Sequence, residues 1–224
     1  MSSVVVLSHR NVANELGHLE PWFERNDFQV SRIYREDGQV LPNSDLLVVL
    51  GSPNSVATGH CEPPAVEEIA IVGEWVKQGR PYLGICFGAQ ILASALGGSV
   101  RRMPVTYRSF APMSLTDKAP QSLNGCWPLW HEDAITAPDT SSVLATLPHA
   151  DTVFVHGTAW GVQPHIEFTP DAVDRLGLSM NIPSILLDPI LQAMKDDEIG
   201  LFNRAQFLLD TFWTSVNSLS MRNN

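Results

Sequence analysis

Apolar positions in the first hundred residues of this 224-residue chain alternate between two rhythms, one of strands and one of helices. Val4 to Leu7 is an unbroken β-branched and apolar run, the pattern of a strand buried on both faces of a parallel sheet. Leu16, Leu19 and Phe23 predict a helix from about Asn14 to Arg25, in spite of Gly17 and Pro21. Phe28 to Tyr34 alternates as a strand does, with Phe28, Val30 and Tyr34 on one side and Ile33 out of phase. Asp45 to Leu50 predicts a third strand, which runs straight into Gly51-Ser52-Pro53-Asn54-Ser55. Pro64 to Gln78 follows as an amphipathic helix with Val66, Ile69, Ala70, Val72, Trp75 and Val76 on its apolar side, and Gly79 stops it. Pro81 to Cys86 is a short apolar strand. Phe87 to Leu96 continues at once with helical spacing and ends at Gly97-Gly98.

Strands and helices joined by short links predict an α/β fold with a doubly wound, mostly parallel central sheet. From Val100 to about Val162 the pattern changes to short strands punctuated by Pro104, Pro112, Pro120, Pro128, Pro138 and Pro148, which predicts an antiparallel β excursion. The chain turns helical from Phe168, breaks around Asn181-Ile182-Pro183-Ser184, and closes with an amphipathic helix from about Ile199 to Val216. No repeat, low-complexity tract or linker interrupts it, so a single domain over residues 1–224 is expected.

Composition fits that picture: 44% hydrophobic and 17% charged residues provide a substantial core and argue against disorder. No apolar run approaches the ~20 residues that span a bilayer. The opening MSSVVVLSHR lacks a basic stretch and a small-residue cleavage site, so it reads as a strand and not as a signal peptide. A net charge of −10 with no Lys/Arg cluster disfavours nucleic-acid binding. The three cysteines, Cys61, Cys86 and Cys126, lack disulfide or zinc spacing. A reducing, cytoplasmic setting is expected, with no metal and no cofactor.

One cysteine has chemical context. Gly84-Ile85-Cys86-Phe87-Gly88 joins a predicted strand to a predicted helix, the layout of a nucleophile elbow with cysteine in the usual place of serine. Such an elbow needs a sharp, strained turn with glycine on both flanks, where neighbouring backbone comes close. A helix N-terminus favours the thiolate and frees the Phe87 N–H for a developing oxyanion. The alternative, a small buried cysteine without chemistry, is the usual fate of a free thiol. A cysteine nucleophile also benefits from a histidine base oriented by a carboxylate. Among seven histidines, His165 is the candidate: Glu167 lies two positions on, on the same face if the segment is extended. His18, His60, His131 and His149 also have a carboxylate two positions on (Glu20, Glu62, Asp133 and Asp151), whereas His9 and His156 do not. The weight of His165–Glu167 therefore comes from its pairing with the elbow. The Gly51-Ser52-Pro53 turn, at a strand's C-terminal end, is positioned to supply a second oxyanion donor from the Ser52 or Gly51 N–H.

Together GSPNSV (51–56), PYLGICFGAQILASALGG (81–98) and AWGVQPHIEFTPD (159–171) resemble the class I (triad) glutamine amidotransferases, and more narrowly the stand-alone GMP-synthase-like members. The resemblance runs from Val4 to about Asp171 and implies a flavodoxin-like sheet. It implies that Cys86 attacks the amide of glutamine or a γ-glutamyl compound to give a thioester. In that chemistry His165 moves the proton, Glu167 orients it, and the Ser52 and Phe87 N–H groups hold the oxyanion. It further implies substrate contacts from Gly51, Gln90 and the loop residues Trp130, His131 and Asp133. Three departures stand out. Ser52 replaces a usual glycine; Pro164 precedes the histidine and fixes φ without a donor; and Glu132 replaces a common glycine in the substrate loop. A true amidotransferase also needs a synthase to use the ammonia, and no phosphate-cradling glycine loop is present, so a partner subunit would supply that function. A free-standing γ-glutamyl peptide hydrolase, a catalytically silent regulatory subunit and a redox-active cysteine protein are the other readings.

Overall fold

The computed structural model describes residues 2–38 and 41–221. The chain begins with β1 (Ser2–Ser8), a short helix α1 (Leu19–Arg25) and β2 (Phe28–Tyr34), then β3 (Leu46–Val49) and α2 (Pro63–Lys77). β4 (Tyr82–Ile85) leads into α3 (Phe87–Ala95), followed by the long β5 (Ser99–Pro112), β6 (Ser114–Leu115) and β7 (Cys126–Thr136). β8 (Ser142–Leu147), β9 (Ala150–His156) and β10 (Ala159–Val162) precede the helices α4 (Pro170–Ser179), α5 (Ser184–Asp196) and α6 (Glu198–Ser220).

Eight strands form one sheet in the order β2-β1-β3-β4-β10-β9-β8-β6, while β5 and β7 pair antiparallel as a separate ribbon. Strands from β2 to β10 in that order run parallel; β9, β8 and β6 extend the sheet antiparallel. This is the doubly wound arrangement expected from the alternating pattern. β3 and β4 are buried along their whole length, because helices cover both faces. One core layer joins Val4, Val6, Leu46 and Val48 to Trp22, Trp127 and the α6 residues Leu208 and Phe212; the opposite layer joins Val5, Leu47 and Val49 to Val72, Trp75 and Ile91.

Some expectations need correction. The first helix begins at Leu19 and not near Asn14, because Ala13 and Gly17 adopt positive φ, 47° and 46°. Residues 9–18 form a loop docked on the 165–168 turn: the His18 N–H donates to the Glu167 carbonyl at 3.0 Å, and a Cβ on Gly17 would stand 1.9 Å from that oxygen. In the edge strand β2 the buried positions are Phe28 and Ile33, while Val30 faces solvent. Not all of the 100–162 excursion is antiparallel either: β10 returns to the parallel sheet beside β4. Helix α4 starts at Pro170, where the Thr169 side chain accepts from the Ala172 N–H as N-cap.

Candidate active site

The carboxyl ends of β1, β3, β4 and β10 face one rim of the sheet, where open α/β sheets carry their sites. Cys86 stands between β4 and α3 with φ 52° and ψ −103°, a region that side-chain-bearing residues rarely adopt. Two flanking glycines permit it. A Cβ on Gly84 would lie 2.4 Å from the Gly88 carbonyl, and one on Gly88 would lie 2.2 Å from the Val49 oxygen. The Cys86 N–H donates to the Val162 carbonyl at 2.9 Å, and its carbonyl accepts the Gln90 N–H at 3.1 Å. The elbow is thereby tied both to β10 and to α3. Phe87 is the first residue of α3, so its N–H has no partner within the helix.

His165 and Glu167 lie on a turn after β10, not in an extended segment. The Phe168 N–H donates to the His165 carbonyl at 3.3 Å, and the turn itself brings the two side chains together. His165 Nδ1 is 2.6 Å from Glu167 Oε1. The ring stacks on Phe168 with centroids 3.9 Å apart and planes 9° off parallel, which fixes its tilt. His165 Nε2 is 3.2 Å from the Trp130 carbonyl oxygen, and Cys86 Sγ is 3.5 Å from the same oxygen. That backbone oxygen of β7 is the point where thiol and imidazole converge. Both ring nitrogens face acceptors, and only the imidazolium can donate to both. Burial works against this charge, but Glu167 and then Cys86 outweigh it and hold the His165 pKa well above its ordinary value. Cys86 is 6% exposed and His165 4%, so these interactions act largely outside bulk water.

Gly51 and Ser52 follow β3 at the same rim. A Cβ on Gly51 would come 3.1 Å from His165 Cε1 and 3.9 Å from Cys86 Cβ, so only glycine fits between them without a shift. The Ser52 hydroxyl lies 2.8 Å from His9 Nε2, and His9 Nδ1 lies 2.7 Å from Glu36 Oε1. That Ser–His–Glu chain was invisible in the sequence, because its carboxylate is 27 positions away from the histidine and not two. Arg35, Glu68 and Phe168 were missed as well: Arg35 and Glu68 meet between distant elements, whereas Phe168 stacks on His165 within one turn.

The other proposed substrate residues divide. Trp130 reaches the thiol through its carbonyl, while its ring carries the Arg108 guanidinium at 4.9 Å. Gln90 is buried on the Cys86 helix, with its amide 3.4 Å from Gln163 Oε1. His131 and Asp133 point into a cluster beside the site. His131 Nδ1 donates to the Asp133 carbonyl at 2.8 Å, and the ring stacks on His149 with centroids 5.4 Å apart. Asp133 accepts from Ser55 Oγ at 2.6 Å and from Arg102 at 3.4 Å; Arg102 also pairs with Glu132.

Two of these histidines set opposite pH slopes. Burial is the main cause that pushes the His131 pKa down from 6.5 to about 4, with His149 and His165 acting in the same direction. The folded state then binds fewer protons than the unfolded one, so this stabilisation, roughly 3 kcal/mol, is complete above pH 6.5 and is lost as pH falls through 6.5 toward about 4. His165 has the reverse sign: its contribution is complete below pH 6.5 and is lost as pH rises through its elevated folded value. Urea midpoints should therefore decline on both sides of about pH 6.5. Glu167→Gln should flatten the alkaline limb, and His131→Leu should make the acid limb shallower. Unchanged limbs in both variants would refute the assignment.

A strained cysteine elbow beside a buried His–Glu pair, at the carboxyl rim of a doubly wound sheet, defines an α/β protein organised around one thiol. Residues 8–178 match the glutamine amidotransferase class-I family, and the chain belongs to that family. It is 31% identical over 173 residues to the glutamine amidotransferase-like protein YfeJ of Salmonella typhimurium, covering 69% of this chain and 72% of that protein. It is 33% identical over 139 residues to the glutamine-hydrolysing GMP synthase of Aeropyrum pernix, covering 58% of this chain but 25% of the synthase. A crystal structure of a glutamine amidotransferase from Thermotoga maritima has the same fold, with a TM-score of 0.81 at 23% identity over 94% of this chain and 97% of that one. Among the described residues no helix is long and apolar enough to cross a membrane, and no group of three or more His, Cys, Asp or Glu could hold a metal ion.

Proposed function

We propose that the protein hydrolyses the side-chain amide of glutamine through a thioester on Cys86. The observation that carries this reading is the convergence of Cys86 Sγ and His165 Nε2 on one carbonyl oxygen, with Glu167 2.6 Å behind the imidazole. The thiolate attacks the amide carbon, and the oxyanion forms toward the N–H groups of Ser52 and Phe87. His165 gives its Nε2 proton to the departing nitrogen as ammonia leaves. Water then loses a proton to His165 and attacks the thioester, which releases glutamate and restores the thiolate. Glu167 supports the imidazolium throughout.

A γ-glutamyl peptide is the second candidate substrate, since the same steps expel an amine in place of ammonia. The Arg102–Glu132 pair favours it, because it puts charged groups on the loop that the family resemblance assigns to substrate. Delivery of the ammonia to a synthase partner is compatible with the first reading. The relation to GMP synthases supports it, although this chain spans about a quarter of their length. The test is ammonia release from glutamine, and amine release from a panel of γ-glutamyl peptides, beside Cys86→Ala. Glutamine turnover that vanishes with Cys86 supports the primary reading. Turnover of a peptide but not of glutamine replaces it with the second. Equal turnover by wild type and Cys86→Ala overturns both.

A further inference from the structure

We propose that Arg35, held by Glu68, is a positioning residue that orients the peptide planes of residues 50–52 so that the Ser52 N–H is already set for an oxyanion at Cys86. This rests on the amide-hydrolysis reading. Arg35 opens the short 3-10 turn after β2, far from the loop in sequence but beneath it in space. Its Nη2 donates to the Leu50 carbonyl and its Nη1 to the Gly51 carbonyl, each at 3.2 Å. Nε and Nη2 also form a two-pronged bridge to the Glu68 carboxylate at 2.9 Å each, with side-chain exposures of only 7% and 8%. The guanidinium lies 5.0 Å from the Phe87 ring centroid, so the same side chain touches the residue that carries the second donor.

The geometry of the peptide bond makes these contacts directional. In a trans peptide the C=O and the following N–H point in opposite directions. Once the Leu50 and Gly51 oxygens are captured by Arg35, the N–H groups of Gly51 and Ser52 must point away from it. Gly51 is close to His165 and Cys86: a Cβ added there would lie 3.1 Å from His165 Cε1 and 3.9 Å from Cys86 Cβ. The loop also needs such a hold. Glycine gives the 51–52 peptide little steric resistance to flipping, whereas Ser52, which precedes Pro53, is confined to extended conformations. The mobile plane is therefore the one whose carbonyl Arg35 binds. Glu68 neutralises the guanidinium, so the loop gains two charge-assisted bonds without a bare cation competing for the thiolate.

The test compares wild type with Arg35→Lys and with the paired variant Arg35→Met/Glu68→Met. The pair is exchanged together because loss of Arg35 alone strands a buried carboxylate, whereas an apolar replacement of both keeps such sites folded; a thermal melt checks this. The probe is glutamate γ-semialdehyde, whose aldehyde carbon adds the Cys86 sulfur to form a hemithioacetal. The C=O π bond opens, and its oxygen enters the oxyanion position and takes up a proton. Affinity is read as protection of Cys86 against iodoacetamide. The unprotected iodoacetamide rate reports thiol reactivity without any oxyanion donor.

In the paired variant, aldehyde affinity and kcat for glutamine should both fall about 30- to 100-fold, with less than about a 3-fold change in KM and in the iodoacetamide rate. Arg35→Lys, which keeps the charge but not the fork, should fall between wild type and the paired variant. Aldehyde affinity that is unchanged in a folded variant would overturn the proposal. So would an iodoacetamide rate that drops in step, since Arg35 would then act through the thiol. If wild type binds the aldehyde in an Arg35-dependent way yet turns over no amide, the positioning role stands and the hydrolase reading falls. If wild type does not bind the aldehyde at all, no oxyanion hole is formed and the positioning role falls.

Discussion

Cys86→Ala should abolish the proposed glutamine hydrolysis, with an expected loss of about 10⁴-fold or more in kcat, measured as ammonia release at saturating substrate. The size follows from the arrangement of the site. Cys86 Sγ is the nucleophile that the described residues place at the convergence point, and on the proposed reading His165, Glu167 and the first turn of α3 serve chiefly the bond that it attacks. What survives is background binding and oxyanion stabilisation of a water attack. Stability should behave differently. Cys86 holds φ at 52°, a conformation that costs on the order of 1–3 kcal/mol with a Cβ and little without one. Cys86→Gly should therefore be as inactive as Cys86→Ala while melting higher than it. Melting points in the opposite order would show that the elbow is not strained.

The largest expected effect on stability comes from Gly88. A methyl group there would sit 2.2 Å from the Val49 carbonyl oxygen and 3.0 Å from its carbon, both of them backbone atoms of a fully buried strand. Neither side can yield, because Val49 is fixed between β1 and β4 and Gly88 lies in the first turn of α3. Gly88→Ala should cost about 3 kcal/mol or more, a fall of roughly 6–12 °C in Tm for a chain of this size. Activity should be lost with it, since helix and elbow move together. Gly73 provides the contrast. It lies inside α2, where an added Cβ meets nothing closer than the Ala95 Cβ at 3.8 Å. Gly73→Ala should stabilise the chain by about 1 kcal/mol through helix propensity alone. Calorimetry on both variants checks the pair, and a shift of the same sign in both would contradict the packing described.

Much of the fold was readable because it is encoded locally. Alternating strand and helix periods, with glycine at the stops, marked β1, β3, β4, α2 and α3 close to their observed limits. The same locality made the elbow legible: the residues that must be small, Gly84 and Gly88, flank the cysteine within five positions. The helix expected from Asn14 failed for a reason outside its own sequence. Leu16 and Leu19 have helical spacing, but Gly17 is pressed against the Glu167 carbonyl and the segment is spent on that contact. The pairing of His165 with Glu167 was read through extended-strand alternation, whereas a turn produces it.

By itself, then, the sequence determined the class of fold and the thiol around which it is organised, since periodicity and close backbone approach act over a few residues. The tertiary structure alone decided the company that thiol keeps. Arg35 and Glu68 meet beneath the loop after β3, His9 joins Glu36 to Ser52, and the Trp130 carbonyl comes within reach of both sulfur and imidazole. These contacts depend on which strands lie side by side, and in what register. A backbone carbonyl has no residue signature, and two side chains separated by dozens of positions share no local pattern, so only the closed sheet could bring them together.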